Sequence, residues 1–193
     1  MQIAKNILIC TAIAFICIFG LIMFQNVCVE VFIEWGWETR PDAEKEWAAL
    51  FKYGFLWSFV FVGIVTAILE ELVFRWCTCQ ALLRWTKLKE FWIIIITAIV
   101  FMLWHMSFSQ AIYQFIMGVV FAKIYLKTRN IWWTTLIHFI NNAFIVTYLY
   151  ITGVQDEIFV LSFGNIALAV GLVAVSITAV AFLIKGLPNG KKG

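Results

Sequence analysis

The 193-residue sequence predicts an all-α fold: a polytopic membrane helix bundle of about six transmembrane helices, with both termini on the cytoplasmic side. Three observations carry that expectation. Apolar residues make up 64% of the chain and charged residues 13%, with a mean hydropathy of +0.95, far from the balance of a soluble domain. The apolar residues fall in long runs, and at roughly 20 residues per helical crossing the length allows about six spans and little else. Six spans also put Lys5, Arg84, Lys87, Lys89, Lys123, Lys127, Arg129, Lys185, Lys191 and Lys192 on one side, ten of the fourteen basic residues. The opposite loops hold only Arg40 and Lys45, with Lys52 at a helix start, together with most of the acids. Lys and Arg accumulate on the cytoplasmic face of membrane proteins, hence the orientation.

Residues 1–193 are therefore expected to form a single membrane domain, and the small size and plain architecture suggest a bacterial cytoplasmic membrane. The net charge of +3 reflects the loop asymmetry. No basic face with stacking aromatics and no phosphate-cradling glycine loop points to nucleic acid.

The first span runs from Ile7 to about Val29, too long for a signal-peptide core and without a small-residue cleavage site, so it reads as a retained helix. Glu30 to Glu46 is a polar, acidic loop. Thr39-Arg40-Pro41-Asp42 supplies a capping side chain, an early proline and an acid, the marks of a helix start. That second helix is expected to run on through Phe51 and Leu69 to Trp85. The third span extends from Phe91 to about Met106, the fourth from Ala111 to Leu126, the fifth from Ile131 to Ile151 and the sixth from about Ile158 to Leu183. In the fourth, Gly118 and Ala122 make a small-xxx-small pair suited to close helix packing. The five cysteines are odd in number and mostly at membrane depth, which implies no disulfide framework. Cys77 and Cys79, two apart on a helix, diverge and do not read as metal ligands.

A few polar residues remain inside the spans: Glu70, Glu71 and Arg75 in the second, His105 at the end of the third, and His138, Asn141 and Asn142 in the fifth. Ionisable groups at bilayer depth cost about 2.5–3.5 kcal/mol each on insertion scales, so such a cluster is a functional hypothesis by default. Glu71 and Arg75 are four apart and can pair along one helix face. Glu70 sits about 100° round from Glu71 and would be left as an unpaired carboxylate. Phe101 and His105, and His138 and Asn142, share faces in the same way. Asn141 reads as a packing neighbour. Counted from the turns, Glu70 and His105 lie at matching depth, whereas His138 lies some 12–14 Å nearer its own turn. The three could meet if the second and third helices projected beyond the others.

Glu70-Glu71-x-x-x-Arg75, Phe101-x-x-x-His105 and His138-x-x-x-Asn142, in this order on successive helices, resemble the three motifs of the CPBP intramembrane proteases. That family contains the CAAX prenyl endopeptidases and the bacterial bacteriocin-processing and self-immunity (Abi) proteins. The resemblance covers about residues 55–150 as a catalytic core, with no departure at a motif position. It implies an intramembrane endopeptidase that hydrolyses a peptide bond of a membrane-associated peptide or protein. Glu70 would activate water with His105 assisting, His138 and Asn142 would orient water or stabilise the oxyanion, and Glu71 and Arg75 would support them. A carboxylate in a low-dielectric site suits the part of general base, and an amide donor suits developing negative charge.

The cofactor stays open at this level. Glu70, His105 and His138 also match a zinc set with one open position, while a metal-free glutamate mechanism fits equally. Two other functions compete: a non-enzymatic bacteriocin-immunity or membrane-scaffold protein of the same fold, and a transporter, disfavoured by the absence of internal repeats and broken helices.

Overall fold

A computed structural model describes residues 2–37, 43–153 and 163–190. Helix α1 spans Gln2–Glu34, α2 Ala43–Leu50, α3 Phe55–Trp85, α4 Glu90–Trp104, α5 Phe108–Thr128, α6 Ile131–Thr152 and α7 Phe163–Gly186. Among the described residues, five helices (α1, α3, α5, α6 and α7) are long and apolar enough to cross a membrane. The bundle expected from composition is present. Of the six expected spans, the third differs: α4 has the composition but only 15 residues. The expected cap at residues 39–42, the start near Ile158 and the tail lysines Lys191 and Lys192 lie outside the described residues.

The second helix is not continuous through Phe51, as its apolar run had implied. Helix α2 stops at Leu50, and Gly54 takes φ 87°, a left-handed conformation that glycine adopts without a Cβ clash. The buried Ser58 hydroxyl then donates to the carbonyls of Leu50, at 2.5 Å, and Gly54, at 3.2 Å, which fastens the new helix to the old one.

Helix α3 is itself unusual. Two stretches, Phe59–Thr66 and Leu72–Cys79, are wound as π-helix, with the α-helical segment Ala67–Glu71 between them. π turns are rare and concentrate at functional sites. The hydroxyls of Thr66 and Thr78 each donate to a carbonyl five residues back, Phe61 and Val73, both at 2.9 Å. The segment held between the two stretches carries Glu70 and Glu71.

The core is built around α5, which packs against α1, α4 and α6. Cys10, Ile13 and Cys17 of α1, Met117, Phe121 and Ile124 of α5, and Ile137 of α6 are all closed from solvent. Among the described cysteines, all five are free thiols; Cys77 is exposed and Cys79 buried, facing apart as their spacing requires.

Helices α4 and α5 touch at Gly118, where an added Cβ would lie 2.8 Å from Ala98 Cα, and Ala122 beside it is fully buried. The small pair therefore serves packing within the bundle. Gly118→Leu should drive the two backbones apart and cost about 1–3 kcal/mol or more; thermal unfolding in detergent, with Gly171→Leu as a control facing open space, checks it.

Helices α1 and α7 run antiparallel: the Cβ positions of Gly20 and Gly186 face Ser176 and Ile9. Both described ends of the chain thus share one end of the bundle. The last turn of α5 joins them there, because the Lys127 ammonium donates to the carbonyls of Ile184 and Lys185, at 2.7 and 2.8 Å, and Gly190 N–H donates to Lys127 O.

The helix 3–4 hairpin need not project far for the motifs to meet. From the Ala98–Gly118 contact, eight residues lead back to Glu90 and ten lead on to Thr128, about 12 and 15 Å of helix, so the two ends are nearly level. The π winding of Leu72–Cys79 lies between the site and the turn and takes up part of the depth difference, since i→i+5 winding gives less length per residue.

Candidate active site

Helices α3 and α6 face each other through charged and amide side chains. The start of α6 is set by Asn130, whose side-chain oxygen accepts from Trp132 N–H at 2.9 Å, a helix cap that fixes the register of the turns beyond it. Thr134, His138 and Asn142 then recur at intervals of one turn and all turn toward α3.

Glu71 is wholly buried and forms the centre. Its Oε1 lies 3.2 Å from a terminal nitrogen of Arg75, also wholly buried, and 3.0 Å from His138 Nδ1, with Thr134 against the same carboxylate. The four-residue spacing pairs Glu71 with Arg75. A carboxylate accepts hydrogen bonds, so His138 Nδ1 carries the proton and donates.

Glu70 is not left facing elsewhere, as the 100° offset from Glu71 implied. The His138 ring fills that angle: its Nε2 stands 3.6 Å from Glu70 Oε2, at ion-pair rather than hydrogen-bond distance. The Glu70 side chain is 12% exposed, against 0% for Glu71, and its Oε2 is buried with no hydrogen-bond partner among the described residues.

Arg75 is held largely by aromatic faces. Its guanidinium carbon lies 4.4 Å from the Phe101 ring centre, 4.9 Å from Phe121 and 5.8 Å from Phe74. Cation–π contacts of this kind stabilise by about 0.5–2 kcal/mol, more when water is excluded. Phe101 has a second duty, since its ring also borders both histidines, 4.8 Å from His105 and 6.0 Å from His138.

His105 ends α4 and is half-buried. Its Nδ1 donates to Phe101 O at 2.9 Å, and Nε2 is the nitrogen on the other edge of the ring. Met106, next in the chain, has φ 46°, a strained left-handed conformation for a side chain of this size, and turns the chain from α4 into α5. Asn142 donates from Nδ2 to the Val62 carbonyl, at 3.0 Å, in the first π stretch of α3. Asn141 accepts from the Tyr113 hydroxyl at 2.8 Å and reaches Asn142 Oδ1 at 3.5 Å.

The structure thus brings Glu70, Glu71, Arg75 and His138 into one cluster, sets Asn142 one turn away against α3, and puts His105 across the Phe101 ring from them. Three further residues had no motif to mark them: Thr134, Tyr113 and Phe121, whose ring stacks on His138 at 5.2 Å. Thr134 alone had a signal, its place one turn before His138.

As a metal centre the set does not fit. Among the described residues no three His, Cys, Asp or Glu side chains are close enough to hold one ion, and His105 is not gathered with Glu70 and His138.

Residues 52–144 match the family described as "Type II CAAX prenyl endopeptidase Rce1-like", a stretch that holds all three motifs. A Bacillus subtilis (strain 168) protein described as "Putative membrane peptidase YdiL" is 32% identical over 84 residues, which cover 44% of this chain and 34% of that one. The aligned part is about a third of that relative's length. No solved structure matches the chain. Over the helices that carry Glu70, His105 and His138, the chain is similar to the type II CAAX prenyl endopeptidase family.

Proposed function

We propose that the protein is an intramembrane endopeptidase that hydrolyses a peptide bond of a membrane-associated peptide or protein, with both termini and the basic loops in the cytoplasm of a bacterial cell. The observation that carries the reading is Glu70 Oε2, a buried carboxylate oxygen without a hydrogen-bond partner among the described residues, beside a histidine whose other nitrogen is tied to Glu71.

Glu70 takes a proton from water as the water oxygen bonds to the peptide carbonyl carbon. His138, held beside Glu70, and the remaining Asn142 amide hydrogen face the developing oxyanion. The C–N bond breaks as Glu70 returns the proton to the leaving amine. Glu71, accepting from His138 Nδ1, holds the ring with Nε2 toward Glu70, and Arg75 balances Glu71. His105 assists from across the Phe101 ring.

The experiment is cleavage of a membrane-tethered reporter peptide library by the purified protein, before and after exhaustive chelation, with products mapped by mass spectrometry. Defined products that survive chelation support the metal-free glutamate mechanism; loss on chelation, restored by zinc, overturns it. If no library member is cut and Glu70→Gln leaves the protein's cellular phenotype intact, the non-enzymatic immunity or scaffold role stands instead.

A further inference from the structure

A groove of about 930 Å³ lies between α5 and α7, roughly on the opposite side of α5 from the site. Val119 lines it, and at 100° per residue this position is about 160° round the helix from Phe121, which stacks on His138. The proposed chemistry makes no use of it.

The groove is two-part. Its walls are apolar, with Phe115, Val119, Val180 and Ile184 among them, and run along the bundle at membrane depth. Its mouth lies at the end where α5 finishes and α7 meets the chain's C-terminal segment, and is ringed by Lys123, Lys127, Arg129 and Lys185 against one acid, Glu90. Glu90 is engaged by Lys123 at 2.6 Å, and Lys127 by the two α7 carbonyls. Arg129 and Lys185 make no ion pair among the described residues. A surplus of three positive charges therefore stands at one end of a slot whose length is hydrocarbon.

We infer that this groove is a binding site for one anionic phospholipid, its phosphate held by Arg129, Lys185 and their lysine neighbours and an acyl chain laid along α5 and α7. The chemistry of the two halves selects it. A zwitterionic lipid brings its own cation against the basic rim, and a soluble anion leaves the apolar slot empty. Basic pockets between helices, at the membrane face where lysines and arginines gather, are where anionic headgroups bind. The volume is at the upper end of sites that hold an organic ligand.

The test is native mass spectrometry of the full chain released from vesicles of equal phosphatidylglycerol and phosphatidylcholine. Wild type should retain one phosphatidylglycerol per protein, at least tenfold in excess over phosphatidylcholine. Arg129→Gln with Lys185→Gln should reduce that preference toward one, and Ala181→Trp, an exposed residue lining the groove, should displace the lipid by filling the slot. Neither variant touches the Glu70 cluster, and unchanged thermal unfolding shows that each is folded. Equal retention of the two lipids, retention untouched by both variants, displacement by glycerol phosphate alone, or an acidic peptide found in the lipid's place would each overturn the assignment.

Discussion

Glu70→Gln should lower the rate of peptide-bond cleavage about 10²- to 10⁴-fold, the range a general base contributes, while leaving substrate binding and thermal unfolding close to wild type. The replacement keeps the size and shape of the side chain and removes only its capacity to take a proton. Glu70 Oε2 has no hydrogen bond to lose among the described residues, so little structural cost accompanies the change. The loss should appear in kcat with KM preserved, since the missing interaction belongs to the transition state. Activity within tenfold of wild type would transfer the base to another group, His105 being the next candidate.

Arg75→Met should destabilise the fold by about 3–5 kcal/mol, the cost of leaving one partner of a buried pair charged and alone. Glu71 would then sit at zero exposure with only His138 and Thr134 to face it. Adding Glu71→Gln should recover part of the loss, because the buried charge is gone and the aromatic rings around position 75 accept an apolar side chain. A double-mutant cycle in detergent, with unfolding followed by far-UV circular dichroism, measures the coupling. An additive outcome would mean that the 3.2 Å contact contributes nothing to stability.

The sequence revealed the helices more readily than their contacts. Hydropathy over Ile131 to Ile151 is enough to draw α6, and the His138-x-x-x-Asn142 spacing is enough to put both residues on one face. What periodicity cannot report is the partner of that face, 67 residues away for His138 and Glu71 and 80 for Asn142 and Val62. The Glu70–Glu71 offset of 100° is true of backbone directions, yet two flexible side chains and one imidazole with a nitrogen on each edge close that angle.

Two misses have plain physical causes. The break after α2 was signalled by Gly54 but hidden by the apolar run on either side of it; a positive φ is a property of the backbone, visible only once built. The π winding of α3 has no marker in residue type, and the threonines that support it, Thr66 and Thr78, are common in helices. Tyr113 and Phe121 lay beyond reach because an apolar helix offers many aromatics and nothing in its own pattern distinguishes those that meet the site.

The shortness of α4 has a consequence for the surrounding lipid. Fifteen residues rise about 22 Å, whereas a typical hydrocarbon layer is about 30 Å thick. A helix that falls short is met by bilayer thinning, at a cost of a fraction of a kcal/mol per Å. Thinning of that kind would be centred on the helix that ends at His105 and would bring the aqueous phase toward the site. Bulk water would then have less oil to cross on its way to Glu70, and on the proposed function a transmembrane peptide in the thinned zone would expose backbone that a full-thickness membrane keeps covered.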